Sequence, residues 1–260
     1  MDKKLVVANW KMHLNTAQAS LLLSHMAKHV HSYRDVEVAI APSSLVIQPL
    51  SLQVDRKKFR LAAQNAYHKD EGAFTGEISF AMLQDLVHFV IIGHSERRLY
   101  FKEDLPMIRD KVAACVRNEI TPILCVGETK EERKNNETNQ ILHDQVTSAL
   151  ANLTADEVEN IVIAYEPVWA ISTFDGDYAK PSDVAKAMDF IRFEVSELYG
   201  KKAADRMRVL YGGSVDESTV RGYLDIDGCD GVLVGAASLN YLQFAGIVEE
   251  AHKSITNAKE

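Results

Sequence analysis

The sequence predicts an α/β protein with a single barrel of eight parallel strands surrounded by helices, a (β/α)8 barrel. Eight short apolar runs recur along the 260 residues, and helical patterns separate them. Most of the runs are continuous rather than alternating, as expected of parallel strands that are covered on both faces. Eight strand-and-helix units in about 250 residues match the size of such a barrel. No linker or repeat divides the chain, so one domain over residues 1–260 is expected.

The predicted strands are runs of aliphatic and β-branched residues. They cover residues 5–9, 36–41, 59–64, 88–93, 120–126, 160–165, 206–211 and 230–234. A doubly wound open sheet is the alternative, but it normally has fewer strands and a glycine-rich first turn. Here the first strand runs into Asn9-Trp10-Lys11, and the sequence contains no GxGxxG motif. The barrel is therefore preferred.

Two capping boxes mark helix starts between the strands. Asn15 with Gln18, and Thr129 with Glu132, have the residue types and the spacing of this motif. We therefore expect one helix to begin after Asn15 and a charged surface helix to begin after Thr129.

A longer helix is predicted between the sixth and seventh strands. Pro181 is suited to its start, and Gly200 is suited to its end. Apolar residues spaced by three and four form its buried face. They are Val184, Met188, Ile191, Val195 and Leu198.

Composition excludes several classes of function. The net charge of −8 argues against a general polyanion binder, so no nucleic-acid partner is expected, although a local basic pocket for a small anion is compatible with it. No apolar run reaches the length of a membrane span, and the N-terminal apolar stretch is too short for a signal peptide. Cys115, Cys125 and Cys229 form no CxxC pair. We therefore expect a cytoplasmic protein without a disulfide framework or a structural zinc site.

Three ionisable residues follow directly on apolar strands. Lys11 lies after the first strand, His94 after the fourth and Glu166 after the sixth. The active site of a (β/α)8 barrel lies at the carboxyl ends of its strands, so these side chains, together with Asn9, are expected to converge. Lys11 would then face the pocket and favour an anion.

Glu166 is the candidate general base. Pro167 follows it and Trp169 is close, so its surroundings are predicted to be stiff and apolar. Desolvation makes a carboxylate a stronger base, which suits the abstraction of a proton from carbon. A surface carboxylate at a strand exit is the alternative interpretation.

His94 precedes the segment Ser95-Glu96-Arg97-Arg98, which has the character of a helix start. A helix N-terminus disfavours a protonated imidazole, so His94 is predicted to be a neutral donor. Without that context, a structural histidine would be the simpler interpretation.

Gly212-Gly213-Ser214 and Gly235-Ala236 follow the seventh and eighth strands. Each could be only a tight turn, but loops at these two positions of a barrel commonly bind phosphate through backbone N–H groups. Together with the groups at the other strand ends, they predict proton transfer beside the carbonyl of a small phosphorylated substrate. This chemistry needs neither a metal nor an organic cofactor, so none is expected.

Eight segments occur in order at the strand ends and loops of the predicted barrel. They are NWKM at 9–12, AQN at 63–65, DEGAFTGE at 70–77, IIGHSERR at 91–98, CVGE at 125–128, AYEPVWAI at 164–171, YGGSV at 211–215 and LVGAASL at 233–239. In this order they resemble the triosephosphate isomerase family. The resemblance implies a TIM barrel that interconverts dihydroxyacetone phosphate and D-glyceraldehyde 3-phosphate, a reaction of glycolysis and gluconeogenesis that proceeds through an enediolate.

The resemblance also implies roles for individual residues. Glu166 matches the family's base, and His94 matches the neutral electrophile, an established case of pKa tuning in this family. Lys11 would supply positive charge and Asn9 would orient the substrate. Two residues, Glu96 and Cys125, would support the catalytic groups. Backbone N–H groups would hold the phosphate around Ser172, Ser214, Gly235 and Ala236.

The family is homodimeric, which implies an interface at the loop 66–77. An exposed Phe74 on a long loop indicates an interface even without the resemblance. By resemblance, Thr75 would reach the partner's site near Asn9 and Lys11.

Three positions depart from the family pattern. Ser172 stands where the lid usually has its first glycine, and the lid segment 167–181 is about two residues longer than usual. We expect a working lid with altered closure rates. Ala236 and Lys102 also replace usual glycines; Ala236 still has an N–H to donate, and Lys102 belongs to a turn rather than to the chemistry.

Two rival functions fit the sequence less well. An aldolase would need a Schiff-base lysine deep in the barrel, whereas the sixth strand ends in Glu166. A non-catalytic or weakly active dimeric phosphate-binding homologue has no reason to keep Asn9, Lys11, His94 and Glu166 together. The isomerase is therefore preferred.

Overall fold

Eight parallel strands close into a barrel in the computed structural model, which describes residues 3–171 and 178–257. Pairing follows the chain order, and the last strand returns to pair with the first. The strands are β1 Lys4–Asn9, β2 Val36–Ala41, β3 Arg60–Ala63, β4 Phe89–Ile92, β5 Thr121–Val126, β6 Val162–Tyr165, β7 Arg208–Tyr211 and β8 Gly231–Val234. The predicted (β/α)8 barrel is confirmed, and the open doubly wound sheet is excluded because the sheet closes.

Every predicted strand is present, and the predicted ends differ from the observed ones by two residues or fewer. The largest differences are at the amino ends of β6 and β7. There the preceding turns use residues that the apolar pattern assigned to the strands. Met207, for example, donates its N–H to the carbonyl oxygen of Ala203 and so completes a helix instead of starting β7.

Helices cover the outside of the barrel. Within the described residues the α-helices are α1 Thr16–His29, α2 Ser44–Ser51, α3 Phe80–Leu83, α4 Ser95–Phe101, α5 Leu105–Arg117, α6 Lys130–Lys134, α7 Thr138–Leu150, α8 Ala155–Val158, α9 Pro181–Tyr199, α10 Lys201–Arg206, α11 Val220–Leu224 and α12 Tyr241–Asn257. Short 3-10 turns follow β6 at Val168–Ala170 and β8 at Ala236–Leu239. None of the helices in these ranges has the length and apolarity needed to cross a membrane.

The predicted helix ends are present. The side chain of Asn15 accepts from the Gln18 N–H at 3.0 Å, and the reciprocal bond from the Asn15 N–H to the Gln18 side chain is also 3.0 Å. Thr129 and Glu132 form the same reciprocal pair. Helix α9 ends before Gly200, whose φ is 86°. Its predicted apolar face is buried as far as Val195, whereas Leu198 is 50% exposed, so the buried stripe stops before the last turn.

The core has two layers because successive strand residues point to opposite faces of the sheet. Among the described residues, thirteen side chains fill the interior of the barrel, and many of them are small. A larger set packs between the strands and the helices. The seam between β8 and β1 is especially close: a Cβ atom on Gly231 would lie 1.8 Å from the carbonyl oxygen of Leu5.

Lys102 ends α4 in the left-handed conformation, with φ at 57°. This conformation costs most residues about 1–2 kcal/mol, and glycine adopts it freely. We expect Lys102→Gly to raise the free energy of unfolding by about 1 kcal/mol, measured by urea denaturation. Lys102→Ala removes the charge but keeps Cβ, and should bring no such gain. An equal gain in both variants would show that the charge, not the backbone, is responsible.

Candidate active site

Seven predicted site residues line one cavity at the carboxyl ends of the strands. The cavity has a volume of about 290 Å³. Asn9, Lys11, His94 and Glu166 form one side of it, and the loops after β7 and β8 form the other, with Ser214, Gly235 and Ala236. Because the strands are parallel and the barrel is closed, residues far apart in sequence meet at this rim.

Glu166 is almost completely buried, with 1% of its surface exposed. Its Oε2 accepts from the Ser95 N–H at 3.1 Å. Its Oε1 lies 3.2 Å from Nε2 of His94 but lacks the alignment of a hydrogen bond, and it has no hydrogen-bond partner among the described residues. One carboxylate oxygen is thus anchored, and the other is available for a proton.

His94 is the N-cap residue of α4, so the predicted helix start after it is present. Its Nδ1 accepts from the Glu96 N–H at 3.2 Å. A nitrogen that accepts carries no proton, so the neutral imidazole has its proton on Nε2. That nitrogen is the one that lies beside Glu166. The geometry therefore presents an N–H donor next to the candidate base.

Lys11 is held by contacts from other strand ends. Its Nζ is 2.7 Å from Oε1 of Glu96, and its carbonyl oxygen accepts from Nε2 of Gln64 at 2.9 Å. Its φ is 50°, and its N–H donates to Oδ1 of Asn9 at 3.2 Å. The backbone at the end of β1 is thereby fixed, and the ammonium group lies at the cavity with a carboxylate partner.

Gly212 makes room for the Glu166 side chain. A Cβ atom at position 212 would lie 2.8 Å from Cγ of Glu166 and 3.5 Å from its Oε1. The Gly212 N–H donates to the carbonyl oxygen of Tyr165 at 2.8 Å, which joins the ends of β6 and β7. A residue with a side chain cannot occupy this position without displacing the carboxylate.

Sequence comparison assigns the family. A family model described as triosephosphate isomerase matches residues 4–251. A curated triosephosphate isomerase of Thermodesulfovibrio yellowstonii is 42% identical over 250 residues, which cover 96% of this chain and 100% of the relative. Those of Trichlorobacter lovleyi and Clostridium acetobutylicum are each 41% identical over 95% of this chain and 98% and 99% of the relatives.

The chain belongs to the triosephosphate isomerase family. It is therefore an enzyme of the isomerase class, and the resemblance seen in the sequence is confirmed over nearly the whole chain.

Cys125 lies on β5 against the Glu166 carboxylate and is 1% exposed. Burial raises the pKa of the Cys125 thiol well above its usual range, and the charge of Glu166 adds to this effect. The thiol is therefore neutral at physiological pH. In this family member it packs beside the candidate base, and it is not an activated nucleophile.

Glu128 lies two residues beyond the end of β5, and the sequence pattern predicts no role for it. This carboxylate is fully buried and accepts from the Tyr165 hydroxyl at 3.1 Å and from Nε1 of Trp169 at 3.0 Å. Burial raises the pKa of Glu128, and these donors oppose the shift. The contact fastens the turn after β6 to the end of β5. A glutamate just beyond an apolar strand was the available signal, but its partners are 37 and 41 residues away.

The proposed phosphate-binding residues are only partly described. Gly235 and Ala236 line the cavity at the start of the turn after β8. The Ser214 N–H donates to the carbonyl oxygen of Ala170 at 3.0 Å, so it must leave this acceptor before it can hold a ligand. Ser172 and the predicted changes of the lid at 172–177 lie outside the described residues.

Thr75 does not line this cavity in its own chain; it lies in the exposed part of the loop 66–77. A neighbouring depression of about 380 Å³ adjoins the cavity through Asn9, Lys11 and His94. Residues Gly76 and Glu77 border it.

We expect Gly212→Ala to lower kcat of isomerisation by about 100-fold. Ordinary carbon contacts are about 3.5–4.0 Å, so the added methyl group must move the Glu166 side chain by about 1 Å. A misplacement of that size can cost about 10²-fold in rate. Gly222→Ala is the control, since a Cβ there would only contact Pro181 at 3.7 Å. Wild-type kcat in Gly212→Ala would contradict the proposed packing.

Proposed function

We propose that this chain interconverts dihydroxyacetone phosphate and D-glyceraldehyde 3-phosphate through an enediolate, in glycolysis and gluconeogenesis. Family membership supports the reaction, and the named relatives are triosephosphate isomerases over their whole length. The observation that carries the proposal is the unpaired Oε1 of the buried Glu166 beside the Nε2 proton of His94. A carboxylate base and a neutral acid at one cavity suit proton transfer next to a carbonyl.

In the proposed mechanism, Glu166 removes a proton from the carbon next to the carbonyl. Nε2–H of His94 donates to the carbonyl oxygen as negative charge develops there, so an enediolate forms. Glu166 then returns the proton to the adjacent carbon, and His94 exchanges protons between the two oxygens. Each proton removed from the substrate is returned to it, so the reaction needs no second reactant.

Lys11 and Asn9 are proposed to bind the substrate. Lys11 adds positive charge at the cavity, and Asn9 orients the substrate from the same strand end. Glu96 would support both by pairing with the Lys11 ammonium group at 2.7 Å and by donating its N–H to His94. Cys125 would support Glu166 by packing against it as a neutral group.

The phosphate group is proposed to bind at the other side of the cavity. Backbone N–H groups of Ser214, Gly235 and Ala236 would donate to it, together with Ser172 from outside the described residues. The position of Gly235 and Ala236 before a short turn supports this, because N–H groups at the start of a helical turn have no internal acceptor.

We further propose that the chain acts in the cytoplasm as a homodimer through the loop 66–77. Large apolar side chains near this loop are exposed, among them Met12 at 94%, Met82 at 63% and Phe101 at 63%. A second copy would cover them, as expected of an extended apolar patch. Thr75 of the partner subunit would then enter the depression of about 380 Å³ near Asn9 and Lys11.

We expect Glu166→Gln to lower kcat for D-glyceraldehyde 3-phosphate by about 10²- to 10⁴-fold, because the amide cannot accept the proton. Glu194→Gln is a matched control. Glu194 is also a mostly buried glutamate beside a histidine, with Oε2 2.8 Å from Nδ1 of His143, but it joins two outer helices. Its kcat should remain near the wild-type value. A wild-type rate no higher than that of Glu166→Gln would contradict the proposed function.

We expect Thr75→Arg to weaken the dimer by about 3 kcal/mol or more, because an unpaired charge would be buried at the interface. Sedimentation velocity over a range of protein concentrations measures the change. Thr75→Ser keeps the hydroxyl group and should remain dimeric. The proposal is wrong if the wild type is monomeric, or if the arginine variant is as dimeric as the serine variant.

A further inference from the structure

Arg98 joins the ends of two neighbouring strands. It lies on α4, and its side chain points back towards the start of that helix, as helical side chains do. Its Nε donates to the carbonyl oxygen of Gly93 at 2.8 Å, and its Nη2 donates to that of Cys125 at 2.9 Å. One planar guanidinium thus spans the carboxyl ends of β4 and β5.

Each of these two carbonyl groups is next to a proposed catalytic group. The Gly93 carbonyl belongs to the same rigid peptide unit as the N–H of His94. Cys125 lies against the carboxylate of Glu166. The peptide plane between Gly93 and His94 orients the imidazole, and the end of β5 positions the carboxylate. Both therefore affect the separation of 3.2 Å between His94 Nε2 and Glu166 Oε1.

The fit around Gly93 is close. Its φ is 70°, and a Cβ atom there would lie 3.0 Å from Nη2 of Arg98 and 3.1 Å from Cδ1 of Ile108. The absence of a side chain at position 93 lets the guanidinium approach the strand end. A lysine carries all of its N–H donors on one nitrogen, so it cannot reproduce the two donors that Nε and Nη2 of an arginine hold in one plane.

The charge of Arg98 is placed behind a buried carboxylate. Burial lowers the pKa of the Arg98 guanidinium, and nearby negative groups, including Glu166 and Glu103, oppose that shift. An arginine remains charged at neutral pH even so. Its charge partly offsets the cost of burying the Glu166 carboxylate, which has no ion pair with a lysine or arginine among the described residues.

We propose that Arg98 is a positioning residue for the isomerisation, which holds His94 and Glu166 at their working separation without touching the substrate. This inference rests on the roles proposed for those two residues. It assigns to Arg98 an effect on the reacting geometry rather than on substrate affinity. Loss of its side chain should therefore lower kcat and leave KM nearly unchanged.

The test compares Arg98→Ala and Arg98→Lys with the wild type. We expect kcat of Arg98→Ala to fall by about 10- to 100-fold, in line with a small misplacement of catalytic groups, with KM within about threefold. Arg98→Lys should lose less, because it keeps the charge and a terminal donor nitrogen. Added guanidinium at tens of millimolar should restore part of kcat in Arg98→Ala with saturation, whereas ammonium at the same ionic strength should not.

Arg192 offers a matched control at the opposite end of the barrel. It also donates to backbone carbonyl oxygens next to strands, those of Met207 at 3.0 Å and Gly228 at 2.9 Å. We expect Arg192→Ala to lower the melting temperature but to keep kcat of the remaining folded enzyme, and guanidinium should not change that kcat.

The results distinguish a failure of this inference from a failure of the proposed function. If Arg98→Ala keeps the wild-type kcat, the inference is wrong. It is also wrong if the fall in kcat only accompanies a lower melting temperature and guanidinium does not restore kcat, because Arg98 is then a structural residue. If Arg98→Ala does not fold, Arg98→Lys decides: unchanged kcat overturns the inference, and lowered kcat with unchanged KM and a wild-type melting temperature supports it. A wild type no faster than Glu166→Gln would instead refute the proposed function.

Discussion

A carboxylate buried beside a cavity is the constraint on which the site depends. Removing a charge from water is costly unless hydrogen bonds or other charges compensate it. For Glu166 the compensation comes from the Ser95 N–H at 3.1 Å and from a guanidinium behind the strand end. Space comes from Gly212, which has no side chain to displace the carboxylate. The groups that compensate the burial of the carboxylate therefore also hold it at the cavity.

The barrel supplies this environment by joining strand ends to one another. Lys11 at the end of β1 contacts Glu96 on α4, which is 85 residues away, and Glu166 at the end of β6 contacts the start of α4 across 71 residues. Gln64 beyond β3 holds the carbonyl of Lys11 across 53 residues. Lys11, His94 and Glu166 thus come from the ends of three different strands. The start of α4 is the common element, because His94 caps it, the Ser95 N–H anchors Glu166, and Glu96 pairs with Lys11.

The fold could be predicted because parallel strands in a barrel are buried on both faces and therefore leave continuous apolar runs. The same reasoning selected His94 and Glu166, since an ionisable residue directly after such a run is conspicuous, and the structure brings both to one cavity. This reasoning did not predict the hydrogen bond from Trp169 to Glu128, or the one from the Ser214 N–H to the carbonyl oxygen of Ala170. Apolar patterns record which residues are buried, but they do not record which carbonyl or N–H a distant residue will meet. Arg98 belongs to the segment IIGHSERR at 91–98, but the role proposed for it depends on a hydrogen bond to the carbonyl oxygen of Gly93.

Closure of the barrel at Gly231 also bears on how the chain is made. The first strand has its neighbour β2 early in synthesis, but its other edge pairs only with the last strand, and Lys4 donates to a carbonyl 220 residues later, at Leu224. An emerging chain therefore carries an unpaired edge on β1 until β8 has left the ribosome. Such an edge can pair with other chains, and contacts this distant in sequence form slowly. Shielding of β1 during translation matters more for this protein than for one whose first strand is paired by its immediate neighbours.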